Sequence, residues 1–176
     1  MSKLAFTYSK LAEVTVGATS VSNISFTNIP QNYTDLVIKL SLRGSTNLAT
    51  QQLYMTFNSV TSNYSARQIY GDGSSATSAT LSNSGAAISI INTNTSVSTT
   101  STFSSTDIYI PNYTSSVNKS ISADSVTENN GTTALAGLTA GLWPNPTAIT
   151  SITFTPQADL YVQYSTATLY GVKAEV

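Results

Sequence analysis

The segment Leu36-Val37-Ile38-Lys39-Leu40-Ser41-Leu42-Arg43 constrains the fold more than any other part of the chain. Leu36, Ile38, Leu40 and Leu42 recur at a spacing of two, and Val37, Lys39, Ser41 and Arg43 occupy the alternate positions. That is the period of a β-strand with one buried and one wet face. A slip of one residue would bury Lys39 and Arg43 and expose four large aliphatic side chains, so the register is strongly specified. The pattern predicts a central strand of an antiparallel sheet with Leu36, Ile38, Leu40 and Leu42 facing the core.

The same logic repeats along the chain. Leu4, Phe6 and Tyr8 alternate and Val14 and Val16 follow, which predicts one or two strands in the first sixteen residues. Further strands are expected over Val21–Phe26, Leu53–Phe57, Tyr64–Tyr70, Phe103–Ile110, Lys119–Val126, Ile152–Phe154 and Ala167–Val172. The Gly71–Ser78 stretch reads as a loop, and Asn92–Thr102 as a long polar loop or a fully exposed strand. Asn129-Asn130-Gly131 is a hairpin turn signal, because Asn and Gly tolerate the left-handed conformations of tight turns. Ala134–Trp143 is apolar, with Gly137 and Gly141 opposing a helix, and is expected to be a strand buried on both faces. The count of nine to eleven strands, with no convincing helix and no linker, predicts one domain over residues 1–176. Its expected class is all-β, an antiparallel β-sandwich with a jelly-roll-like plan.

Charged residues make up 9% of the 176 residues, and the net charge is −1. The seven Lys and Arg residues form no run, so the electrostatic footprint of a nucleic-acid binder is missing. The N-terminal residues include no apolar run long enough for a signal peptide or membrane span, and synthesis in a cytoplasm without cleavage is expected. Without His or Cys the chain cannot build Ser-His-Asp or Cys-His nucleophiles or most transition-metal centres. Carboxylates remain. Asp124 and Glu128 are placed to meet at one strand end, where solvated acids are also ordinary; Asp72 between two glycines suits a calcium ligand or simple turn chemistry. The expectation is a protein that is not an enzyme and holds no cofactor and no metal.

Aromatic residues are the better lead to function. Trp143 precedes Pro144-Asn145-Pro146, which predicts a loop, and Tyr33, Tyr64 and Tyr113 each follow an Asn at a strand entrance. Exposed rings at such places stack on sugars or anchor protein interfaces. The same four residues would otherwise cap the open ends of a sandwich. Tyr109 and Tyr170, inside strands, are read as core or subunit contacts.

Five segments carry a family resemblance: Ile29-Pro30-Gln31-Asn32-Tyr33-Thr34-Asp35-Leu36; Asn63-Tyr64-Ser65 with Ile69-Tyr70-Gly71; Ile108-Tyr109-Ile110-Pro111-Asn112-Tyr113; Ile149-Thr150-Ser151-Ile152; and Tyr164 to Gly171. Together they resemble small virion structural proteins of tailed phages, cyanophages in particular, over nearly the whole chain from about Tyr8. The resemblance implies a jelly-roll-like particle component, either a capsid decoration (cement) protein or a tail- or fibre-associated module, with no catalytic residues to transfer. A stand-alone chain with a bland polar surface favours decoration. The partners then expected are the major capsid protein and copies of the chain itself, as a trimer, at the particle surface. A receptor- or glycan-binding module is the alternative, and Tyr33, Tyr64, Tyr113 and Trp143 are the candidate contacts under either role.

Overall fold

The computed structural model describes residues 8–81, 85–131 and 133–173. Leu4, Phe6 and Glu175 lie outside the described residues. Within them the chain forms twelve strands and no helix. These are β1 (Tyr8–Thr15), β2 (Ile24–Phe26), β3 (Asp35–Ser41), β4 (Gln51–Phe57), β5 (Ser65–Gly71) and β6 (Ala76–Leu81). The second half adds β7 (Ile88–Thr93), β8 (Ser105–Ile110), β9 (Lys119–Val126), β10 (Ala136–Trp143), β11 (Ile152–Pro156) and β12 (Thr166–Val172).

Eight strands make one sheet, in the order β1-β12-β3-β8-β9-β10-β5-β6; the other four make a second sheet, β2-β11-β4-β7. All strand pairings are antiparallel, as in the predicted sandwich. Each strand of the smaller sheet is preceded and followed in sequence by a strand of the larger one. The two sheets are thus sewn together by the chain itself, and neither can form its core face alone.

Strand β3 sits inside the large sheet between β12 and β8, with Leu36, Ile38, Leu40 and Leu42 buried and Lys39 exposed, as the alternation requires. Against them pack Leu53, Met55 and Phe57 from β4, Ile88 and Ile90 from β7, and Ile152 and Phe154 from β11. Burying a large apolar side chain stabilises by about 1.5–3 kcal/mol, so this shared interior is what holds the sheets face to face.

Three expectations need correction. The Gly71–Ser78 loop is shorter than expected, because β6 begins at Ala76 and hydrogen-bonds along β5. Its Ala-Thr-Ser-Ala-Thr-Leu sequence is too weakly apolar to stand out. The Asn92–Thr102 stretch is a polar loop after β7, not an exposed strand, but its first two residues belong to β7 and it is tied down: Asn94 and Thr95 are buried. The Arg43 guanidinium donates to the carbonyls of Thr99, at 2.9 Å, and Thr102, at 2.8 Å. The third correction concerns β10, which is buried on one face only.

Candidate functional site

On β10 the residues facing the core are Gly137, Thr139, Gly141 and Trp143, and those facing water are Ala136, Leu138, Ala140 and Leu142. This inverts the usual assignment, in which the larger aliphatic side chains go inward. The reason lies across the sandwich. A β-carbon on Gly141 would come within 2.9 Å of Ile88 Cγ2, and one on Gly137 within 2.5 Å of Ile91 Cδ1. Strand β7 therefore packs directly on the backbone of β10 at positions 137 and 141, and only a residue without a side chain fits at either. Strict alternation then sends the two leucines to the outer face.

The outer face of the large sheet gathers apolar side chains around this strand. Leu138 stands opposite Ile69 of β5, and they are 51% and 58% exposed. Val126 of β9 is opposite Ala136 and is also exposed. Toward the middle of the sheet, Lys39 donates to Asp107 at 2.5 Å, and Asp107 stands opposite Asp124. Like charges directly opposite on a sheet are unfavourable, and Lys39 offsets one of them. Tyr109 is held on this face by its hydroxyl, which donates to Asp35 at 2.8 Å; that bond pushes the phenol pKa up. Between these groups and Tyr8 the sheet forms a shallow depression of about 420 Å³.

Three of the four predicted contact residues lie in the interior. Trp143 is the last residue of β10, not a loop residue, and is 1% exposed. Its ring stacks on Tyr64 at 6.0 Å and lies 5.4 Å from Phe57. The Tyr64 hydroxyl accepts from the Phe57 N–H at 2.8 Å and donates to the Val60 carbonyl at 3.1 Å. Tyr113 is buried, and its hydroxyl donates to the Pro30 carbonyl. Tyr33 is half-buried and packs over Gly171, where a β-carbon would lie 2.5 Å from its ring. End-capping describes these positions, and a sugar-stacking platform does not. The Asn before each buried tyrosine supplies the turn: Asn63 and Asn112 have φ of 65° and 50°, a left-handed conformation Asn tolerates well.

Three of the segments that carry the resemblance, around Pro30, Tyr113 and Ile149, meet one another. Beyond the Tyr113–Pro30 bond, the Asn112 N–H donates to Asp35, the Ile149 N–H to the Tyr113 carbonyl, and the Gln31 amide to the Ile149 carbonyl at 3.0 Å. These contacts form one end of the scaffold, while Ile69 and Tyr109, from the same set of segments, lie on the outer sheet face.

The acids are dispersed. Glu128 does not pair with Asp124; its Oε1 accepts from the N–H groups of Asn129 and Asn130 and shapes the β9–β10 turn. Asp72 Oδ1 accepts from the N–H groups of Ser74 and Ser75, at 2.9 and 2.7 Å. These bonds hold its pKa at about 2. Among the described residues no group of three or more His, Cys, Asp or Glu side chains is arranged to hold a metal ion. Ile69 and Leu138 were missed as surface residues because their hydrophobicity reads as core, and only the glycine spacing around Leu138 hinted otherwise.

Comparison with protein-family models, with curated proteins and with solved structures finds no match to this chain.

Proposed function

We propose that this chain is a structural component of a tailed-phage virion, a capsid decoration (cement) protein that binds the outside of the shell through the outer face of its eight-stranded sheet. The observation that carries the reading is the exposed Ile69–Leu138 pair, with Val126 diagonal to it and Leu142 four residues farther along β10. Contiguous apolar side chains on a sheet face mark interaction surfaces, because water gains when they are covered. The same face also carries charge, Arg67 opposite Ala140 and the Lys39–Asp107 pair beside Asp124, so a partner has to match charge as well as apolar surface. The resemblance supplies the kind of partner, the major capsid protein, and a jelly-roll-like kinship belongs to the same proposal.

Copies of the chain are the second partner. At one edge of the large sheet, β1 is protected by a bulge between Lys10 and Ala12 and by the Lys10–Glu13 ion pair at 2.8 Å. At the other edge β6 runs without a charge, a proline or a register shift. An unprotected edge of this kind is a template for pairing with a neighbour. Repetition of a modest contact over many copies multiplies its effect, and a trimer suits a local threefold position of an icosahedral lattice. The glycan-binding alternative needs a site other than Tyr33, Tyr64, Tyr113 and Trp143.

Co-sedimentation with isolated capsids that lack the protein tests the proposal. Saturable binding is expected, with Leu138→Asp and Ile69→Asp abolishing it while the circular dichroism spectrum stays unchanged. Wild-type protein that remains in the supernatant, or two variants that bind as wild type does, would overturn the assignment.

A further inference from the structure

Trp143 closes the end of the sandwich where β5 begins and β10 finishes. At the opposite end, β5 and β6 on one side and β4 and β7 on the other enclose a cleft of about 520 Å³, flanked by Leu48 and Leu135. Its polar lining comes from Thr50, Gln52, Gln68, Tyr70, Asn92 and Gln157, and no charged side chain lines it. Little of that hydrogen-bonding capacity is used inside the protein. The buried Gln68 donates from Nε2 to the Ser89 carbonyl at 3.2 Å, and no described residue donates to its Oε1. Gln157 accepts from the Gln52 N–H at 3.1 Å through Oε1, while its Nε2 meets no described acceptor. The side-chain amides of Gln52 and Asn92 and the Tyr70 hydroxyl have no described partner either. Opposite Gln68, Thr139 is buried with its hydroxyl unpaired among the described residues.

We infer that this cleft, walled by four neutral amides and the Tyr70 ring, is a binding site for an uncharged saccharide. The lining selects the ligand class by elimination on chemical grounds. An anion would leave its charge without a cation here, and a cation would lack a carboxylate. A wholly apolar ligand would strip water from six polar side chains and give them nothing in return. A saccharide hydroxyl both donates and accepts, as an amide does, so each can satisfy the other. The C–H faces of the sugar pack on Tyr70 and on the aliphatic walls of Leu48, Ile91 and Leu135. The volume falls in the usual range for small-molecule sites, about 300–1,000 Å³. The inference is independent of shell binding, since the cleft lies between the sheets and the docking face lies outside them.

The test is a printed panel of uncharged oligosaccharides (maltotriose, cellotriose, chitotriose, mannotriose), with sialyllactose and triglycine as acidic and peptide comparators. Hits are followed by heteronuclear NMR of the side-chain amides. At least one neutral oligosaccharide is expected to shift the Gln68 and Asn92 amide signals saturably at millimolar concentration. Tyr70→Ala and Gln157→Ala are each expected to weaken it about tenfold with the fold intact by circular dichroism. Leu138→Asp should bind the sugar as wild type does, which separates this site from the capsid-binding face. No shift with any neutral sugar, shifts confined to residues outside the cleft, or a stronger response to triglycine at the same signals would each overturn the inference.

Discussion

Gly137 lies directly beneath Ile91, so that a β-carbon added to the glycine would stand 2.5 Å from Ile91 Cδ1. The close approach of β7 to β10 depends on this contact and on the equivalent one between Gly141 and Ile88. It also decides which face of β10 meets water, and so places Leu138 and Leu142 on the surface.

The Gly137 contact sets the first expectation. Gly137→Ala should destabilise the fold by about 3 kcal/mol or more, because the new methyl also meets the Ile69 carbonyl at 2.3 Å, and backbone cannot swing aside. Gly17→Ala has open space around it and should change stability by no more than about 0.5 kcal/mol. Urea titration of the two variants gives the comparison; equal midpoints would contradict the packing described.

Apolar residues on opposite faces of the large sheet should behave differently. Leu40→Ala removes buried methyl groups and should cost about 2–5 kcal/mol. Leu138→Ser, at an exposed position, should stay within about 0.5 kcal/mol of wild type. A large loss of stability in Leu138→Ser would mean that the side chain is buried within one protomer.

The single tryptophan reports on the closed end of the sandwich. Emission from Trp143 should be blue-shifted and resistant to iodide quenching, then shift to the red on unfolding. Trp143→Ala should cost about 3–5 kcal/mol through the cavity it leaves. Ready quenching of the folded protein would place the ring outside the core.

The pH dependence follows from tyrosine burial. Burial pushes the Tyr161 pKa well above its ordinary value and raises those of Tyr64 and Tyr113. Groups with a raised folded pKa contribute stability that is complete below the unfolded value, about pH 10, and lost as pH climbs through the folded values. Lys119, held by the Ser115 and Val117 carbonyls, has its pKa lowered by burial. Its sign is opposite: stability rises as pH climbs from its folded pKa to its unfolded one. Above about pH 10 Lys119 has finished titrating in both states while the buried tyrosines have not, so the urea midpoint should fall there, in step with tyrosinate absorbance. With no histidine, the midpoint should be flat from about pH 5 to 9. A transition near neutral pH would show that some other group controls stability.

Arg43 should order the Ser/Thr-rich segment that follows β7. Arg43→Met strips donors from the carbonyls of Ser98, Thr99 and Thr102 and should cost about 1–3 kcal/mol. Limited proteolysis should then cut first between residues 94 and 102. Unchanged resistance there would assign the order of that segment to other contacts.

The all-β class and the inward face of β3 were legible because period-two patterning is a local property, and Leu36 to Leu42 show it without interruption. The β9–β10 hairpin was legible for the same reason: Asn130 adopts the left-handed conformation, with φ of 54°, that its turn requires. The site was far less legible. Trp143 next to two prolines looks like a loop residue, and Tyr64 and Tyr113 after Asn look like strand-entrance residues. Whether such a ring points in or out depends on partners distant in sequence, Phe57 for Trp143 and Pro30 for Tyr113.

Alternation of side chains along each strand is encoded residue by residue, so the chain alone determined that it forms strands, where its tight turns fall and which residues of β3 face inward. It did not determine that eight strands join one sheet and four the other. Nor did it determine that β10 turns its leucines outward, or that Gln52, Gln68, Asn92 and Gln157 converge on one cleft. Those are outcomes of packing between segments far apart in sequence. Gly137 is compatible with either orientation of Leu138 until Ile91 occupies the space above it, and that contact exists only once the two sheets have closed on each other.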